Sequence, residues 1–102
     1  MKTFYELYND LQEHLINLGF TPALHNGIAD FFIGNYELIS VELRYDNIWY
    51  RTYPSNEEKW EKFYGATKDD FDYIKELAVR LVKMYKHKQV LLAKKEIEKD
   101  FQ

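Results

Sequence analysis

A chain of 102 residues, 46% hydrophobic and 18% aromatic, has the material for one packed core, which argues against disorder and against a second domain. It contains no Cys, so a disulfide framework, a thiolate nucleophile and Cys-ligated zinc are excluded, and a cytoplasmic setting is expected. No stretch approaches the roughly 20 apolar residues of a membrane span, and the net charge of -3 conceals a split: residues 1–79 carry 7 Lys+Arg against 14 Asp+Glu, residues 80–102 carry 7 against 3.

The first element is a helix. Thr3 and Glu6 form a capping box, Phe4, Leu7, Leu11, Leu15 and Leu18 make one apolar face, and Gly19 supplies the left-handed C-cap. Phe20-Thr21-Pro22 leaves that helix. Residues 20–53 then read as β, with strands at Ala29 to Ile33, Tyr36 to Tyr45 and Ile48 to Tyr53, separated by turns at Gly34-Asn35 and Asp46-Asn47. His25-Asn26-Gly27 also reads as a turn. The simplest layout is a three-stranded antiparallel meander. A two-residue hairpin at Asp46-Asn47 pairs Tyr45 with Ile48 and Glu42 with Arg51. It turns Ile39, Val41, Leu43, Ile48 and Tyr50 inward and Glu42, Arg44, Trp49, Arg51 and Tyr53 outward.

Ser55 with Glu58 suggests a second capping box, opening a short helix that carries Trp60, Phe63 and Tyr64 and stops at Gly65. Thr67 with Asp70 opens a third helix, striped by Phe71, Ile74, Leu77, Ala78, Leu81 and Tyr85. No Gly or Pro interrupts the chain from Lys68 to Gln102, so residues 68–102 form either one long helix or a helix pair, with a break at Lys86-His87-Lys88-Gln89. The expected fold is α+β: an N-terminal helix, the meander, the short helix, and a long C-terminal helix or helix pair packed on the inward face. Residues 1–102 make a single small domain in which 88–102 is an extended or dimerising tail.

Three surfaces are candidate sites. The outward sheet residues Arg44, Trp49, Arg51 and Tyr53 suit a protein partner, since Arg beside Trp permits a cation–π contact. The competing expectation, favoured by the number of helices, is that a helix covers this face and makes Trp49 and Tyr53 core. The basic tail, with Lys83, Lys86, Lys88, Lys94 and Lys95, suits phosphate contact, though the favoured explanation, given the acidic body, is a solvated helical face with paired charges. Val90, Leu91, Ile97 and Phe101 extend beyond what a small sheet covers and suit self-association. Acidic groups at Glu57-Glu58 and Asp69-Asp70 fall where helix N-termini collect them. Asp30 is expected in water on an edge strand. His14, His25 and His87 have no metal-ligand spacing, and no nucleophile or phosphate-loop motif is present.

No metal and no cofactor are therefore expected, and the chain is expected not to be an enzyme. The functional expectation is a non-enzymatic protein-interaction module, of the kind that phages and mobile elements use to bind and inhibit a host factor. The alternative is a small nucleic-acid-binding protein using the basic C-terminal helix and the aromatic/Arg sheet face.

Overall fold

The computed structural model describes residues 2–100, with side-chain surroundings through Lys95. In chain order the elements are α1 (Phe4–Leu18), β1 (Thr21–His25), β2 (Ile28–Ile33), β3 (Tyr36–Glu42), β4 (Asn47–Tyr50), β5 (Glu61–Phe63) and α2 (Lys68–Asp100). The strands form one antiparallel sheet in the order β1-β2-β3-β4-β5, an uninterrupted meander. The α+β architecture matches the sequence-based expectation, with two strands more than the three foreseen.

Helix α1 begins and ends as its residues dictate. The Thr3 hydroxyl accepts from the Glu6 N–H while the Glu6 carboxylate reaches back to the Thr3 N–H, and Gly19 caps the other end at φ 107°. Helix α2 starts on a similar exchange, the Thr67 N–H donating to Asp70 at 2.9 Å. It is one continuous helix, about 50 Å long at 1.5 Å per residue. The molecule is accordingly elongated, 59 × 21 × 20 Å.

Both helices pack on the same side of the sheet. Leu11 and Leu15 of α1 and Phe71, Ile74, Leu77, Ala78 and Leu81 of α2 are buried with Ala29, Phe31, Ile39, Val41 and Ile48 of the sheet. Phe4 and Phe71 meet edge to face across the helix pair, ring centres 5.2 Å apart. Each large apolar side chain buried here contributes roughly 1.5–3 kcal/mol, so this layer is the main source of stability. In β3, Leu38 and Ile39 both lie in the core. A bulge opposite Phe31/Phe32 inserts Leu38 as an extra residue, so one strand supplies two neighbouring side chains to the same face.

Four expectations are corrected. Thr21–His25 is a strand, because Asn26 and Gly27 take positive φ (50° and 76°) and close a two-residue hairpin that pairs His25 with Ile28. The short helix does not exist. Ser55 accepts from the Glu57 N–H two residues on, a local turn, and Glu61–Phe63 instead pairs with β4 as the fifth strand. The β3–β4 loop is four residues, Leu43 to Asp46, so Glu42 faces Asn47 and Ile39 faces Tyr50. This register differs from the two-residue hairpin by four positions. Four is even, so the residues that remain in the two strands keep the faces assigned to them, Ile39, Val41, Ile48 and Tyr50 inward and Glu42 and Trp49 outward. Finally, β4 ends at Tyr50, so Arg51 and Tyr53 lie beyond the strand.

Gly34 turns the β2–β3 hairpin at φ 56°, and a Cβ there would meet the Tyr85 hydroxyl of α2 at 2.7 Å. Gly34→Ala combines a left-handed backbone that costs about 1–2 kcal/mol with that clash. A lowered urea midpoint is expected, and Tyr85→Phe in the same chain should recover part of it. A midpoint equal to wild type would show that the turn and α2 do not press on one another.

Candidate functional site: the open sheet face

With both helices on one side, the opposite side of the sheet is left without a helix among the described residues, which overturns the expectation that a helix covers it. Residues alternate onto this outer face: Ile28 and Asp30 from β2, Glu37, Ser40 and Glu42 from β3, Trp49 from β4 and Lys62 from β5. The segment between β4 and β5 returns to the same side and adds Trp60. Ile28, Glu37, Ser40, Glu42, Trp49 and Trp60 line an open cleft of about 350 Å³.

The floor of the cleft is polar and fully satisfied. Asp30 is buried (8% exposed) in the centre of the sheet, where Ser40 Oγ donates to its Oδ1 at 2.6 Å and His25 Nε2 lies 2.7 Å from its Oδ2. Burial pushes the Asp30 carboxyl up, but the hydrogen bonds from Ser40, His25 and Glu37 outweigh it and hold the group below its usual 3.8. Glu37 goes the other way. Burial and the adjacent Asp30 raise it above its usual 4.5, with Arg51 opposing. The two neighbouring carboxyls are thus pushed in opposite directions, Glu37 up and Asp30 down.

The walls are aromatic, and each tryptophan already holds a cation. The Lys62 ammonium sits 3.9 Å from the Trp49 ring centre and 3.6 Å from Glu42, while the Trp49 indole N–H donates to Glu42. The Arg51 guanidinium lies 4.1 Å from the Trp60 ring centre. Arg51 is itself 8% exposed and donates to the Glu37 and Glu58 carbonyls at 2.8 and 3.1 Å and to Asn56 at 3.3 Å. Those bonds tie the irregular 51–60 segment down over the sheet.

The four sheet-face residues picked from the sequence are therefore split up. Trp49 stands in the cleft. Arg51 lies beside it but is committed to backbone carbonyls and to Trp60, and the foreseen pairs Arg–Trp49 and Glu42–Arg51 are not formed. Arg44 is exposed in the β3–β4 loop, near Gly27. Tyr53 faces α2, with Lys88 5.9 Å from its ring centre. Asp30 is buried rather than in water, because β1 covers the edge on which it was placed. Sequence reasoning missed Asp30, Glu37, Ser40 and Trp60. The available signal was the alternation of Asp30 with Ala29 and Phe31, which forces a carboxylate onto the outer face once β2 is central.

Of the tail residues, Lys83, Lys86, Lys94 and Lys95 are exposed, whereas Lys88 donates to the Pro54 carbonyl at 3.3 Å and caps the Tyr36 ring at 4.7 Å. Val90, Leu91 and Leu92 are 54%, 47% and 47% exposed. The Ile97 side chain and Phe101 lie outside the described residues. No helix among the described residues is long and apolar enough to cross a membrane, and no group of three or more potential metal-ligating side chains occurs among them.

The fold and site together define a small two-layer α+β domain with an open, acid-floored and tryptophan-walled sheet face. Comparison with protein-family models, curated proteins and solved structures finds no match to this chain.

The carboxyl pair makes a checkable pH dependence. Folding raises the Glu37 pKa, so its contribution to stability is present below the ordinary Glu range and is lost as pH rises through the folded value. Relative to wild type, Glu37→Gln should therefore gain stability between about pH 4 and pH 7. Urea midpoints at the two ends of that window measure the change, and a constant difference would mean that Glu37 titrates normally.

Proposed function

We propose that this chain is a non-enzymatic protein-interaction module that docks its partner on the open outer face of the sheet. The observation that supports this most directly is the cleft itself, in which Trp49, Trp60 and Ile28 offer apolar contact area above a carboxylate floor. Tryptophan is among the residues that most often dominate binding energy. A partner with one or two cationic side chains beside an apolar one fits this surface.

The chemistry of the floor supports a binding role over a catalytic one. Ser40 directs its hydroxyl proton to Asp30, not to His25, so no base is placed to generate a serine alkoxide. Asp30, its pKa lowered, is a weak base, and its oxygens are already engaged.

The nucleic-acid reading retains one supporting observation, the exposed Lys83, Lys86, Lys94 and Lys95 on α2. Its sheet-face half loses support, because Arg51 is engaged and the face is acidic.

The two readings separate in a comparative pull-down from nuclease-treated lysate with the wild-type chain, Trp49→Ala, and a quadruple Lys83/Lys86/Lys94/Lys95→Glu variant. The expected result is a protein captured in the presence of nuclease and reduced about tenfold or more by Trp49→Ala, equivalent to at least about 1.4 kcal/mol. Capture untouched by Trp49→Ala and abolished by nuclease or by the lysine changes would overturn the proposal in favour of nucleic acid.

A further inference from the structure

From the geometry we infer that the occupant of the open face is a second copy of this chain, whose protruding end of α2 lies across it, reciprocally, in a closed two-fold dimer. This rests on the reading of the outer face as a docking surface and names what docks there.

The protruding segment is the first ground. Among the side chains described, through Lys95, Lys88 is the last of α2 that is not exposed, and Gln89 to Lys95 are exposed in succession. The helix continues to Asp100, about 18 Å past Lys88 at 1.5 Å per residue. A helical stretch of this length is marginal in water by itself, and this one exposes Val90, Leu91 and Leu92 side by side. It needs a surface to lie on.

The second ground is chemical fit. Leu91, Lys94 and Lys95 stand at i, i+3 and i+4, on one face of the helix. That face offers one apolar side chain flanked by two ammonium groups, the complement of a tryptophan-walled cleft lined by Glu37 and Glu42. Between Gln89 and Asp100 the charges are Lys94, Lys95 and Lys99 against Glu96, Glu98 and Asp100, so the basic character of the protruding stretch is local to Lys94-Lys95, which precede its acids, and it is this pair that faces a body carrying 14 acids against 7 bases in residues 1–79.

The third ground is dimensional. The protruding stretch of about 18 Å is long enough to cross most of the central strand β3, seven residues or about 23 Å at 3.3 Å each. The helices lie under the sheet, and α2 leaves on that side. A two-fold axis in the plane of the sheet and across α2 carries each protruding end to the far side of the partner's sheet. Both open faces are then covered by equivalent contacts and no free copy of either surface remains, as a closed dimer requires.

Light scattering on the full chain across a concentration range tests this, with Lys94→Glu/Lys95→Glu and Glu37→Lys/Glu42→Lys as the two charge-reversed variants. A dimer is expected for wild type, and at least a tenfold weaker one for each variant alone. An equimolar mixture of the two should restore the wild-type mass, since both contacts then pair opposite charges. Restoration also shows that the variants fold. An independent reading needs no substitution: the only two tryptophans, Trp49 and Trp60, should shift their emission to the red on dilution.

Dimers that survive Glu37→Lys/Glu42→Lys and dilute without a tryptophan shift would place the contact between two protruding helices and overturn the inference. A chain that is monomeric at every concentration overturns it too, and leaves the outer face to a different protein, which the Trp49→Ala capture experiment tests on its own.

Discussion

The one-sided packing of α1 and α2 is the constraint from which the rest follows. A five-stranded sheet has two faces, and this chain brings its two apolar helix stripes to the same one. Leu11, Leu15, Phe71, Ile74 and Leu81 all close onto Phe31, Ile39, Val41 and Ile48. The other face then has to be compatible with water, and it achieves this by alternation: every second residue of β2 and β3 there is polar or partly exposed. Without the shared core on the inner side there would be no outer surface to discuss.

A surface that is wet as a whole still contains groups withdrawn from water. Asp30 and Ser40 sit at its centre, and their satisfaction is internal: hydroxyl and imidazole serve one carboxylate, while burial and that carboxylate raise the pKa of the neighbouring Glu37. Such a network is costly to break and cheap to keep, because each member is already paired. It gives the face a fixed electrostatic pattern rather than a collection of mobile charges. Trp49 and Trp60 are fixed in the same way, each against a cation of its own chain. A ligand meeting this surface meets a preorganised one.

How much of this was legible in the sequence depended on the range of the interaction responsible. Local chemistry was readable: the Thr3–Glu6 box, the Gly19 cap, the Gly34-Asn35 turn and the apolar stripe of α2. The inner face of β3 and β4 was readable as well, because side-chain alternation survives any register error of even size. What failed was non-local. Nothing near Glu61-Lys62-Phe63 announces a strand, since three residues become one only by pairing with Ile48 to Tyr50. Asp30 looked like an edge residue until Thr21–His25 proved to be a strand outside it. Arg51 and Trp60 are nine residues apart across an irregular segment, and only the fold stacks them. The candidate site is built largely from such long-range juxtapositions, which is why its tryptophan was half foreseen and its carboxylates were not.

The tether made by Arg51 has a further consequence. Its guanidinium reaches the Glu37 and Glu58 carbonyls, backbone groups whose presence does not depend on which side chains stand at those positions. The segment it anchors contributes one wall of the cleft and belongs to neither the helical layer nor the body of the sheet. With Pro54 buried and Asn56 bonded to Arg51 and to the Asn35 carbonyl, the exposed Glu57, Glu58 and Lys59 are the side chains of this segment that can change while the core beneath is kept. The wall can be re-cut for a different ligand without renegotiating the fold, and selection for a new specificity would register there first.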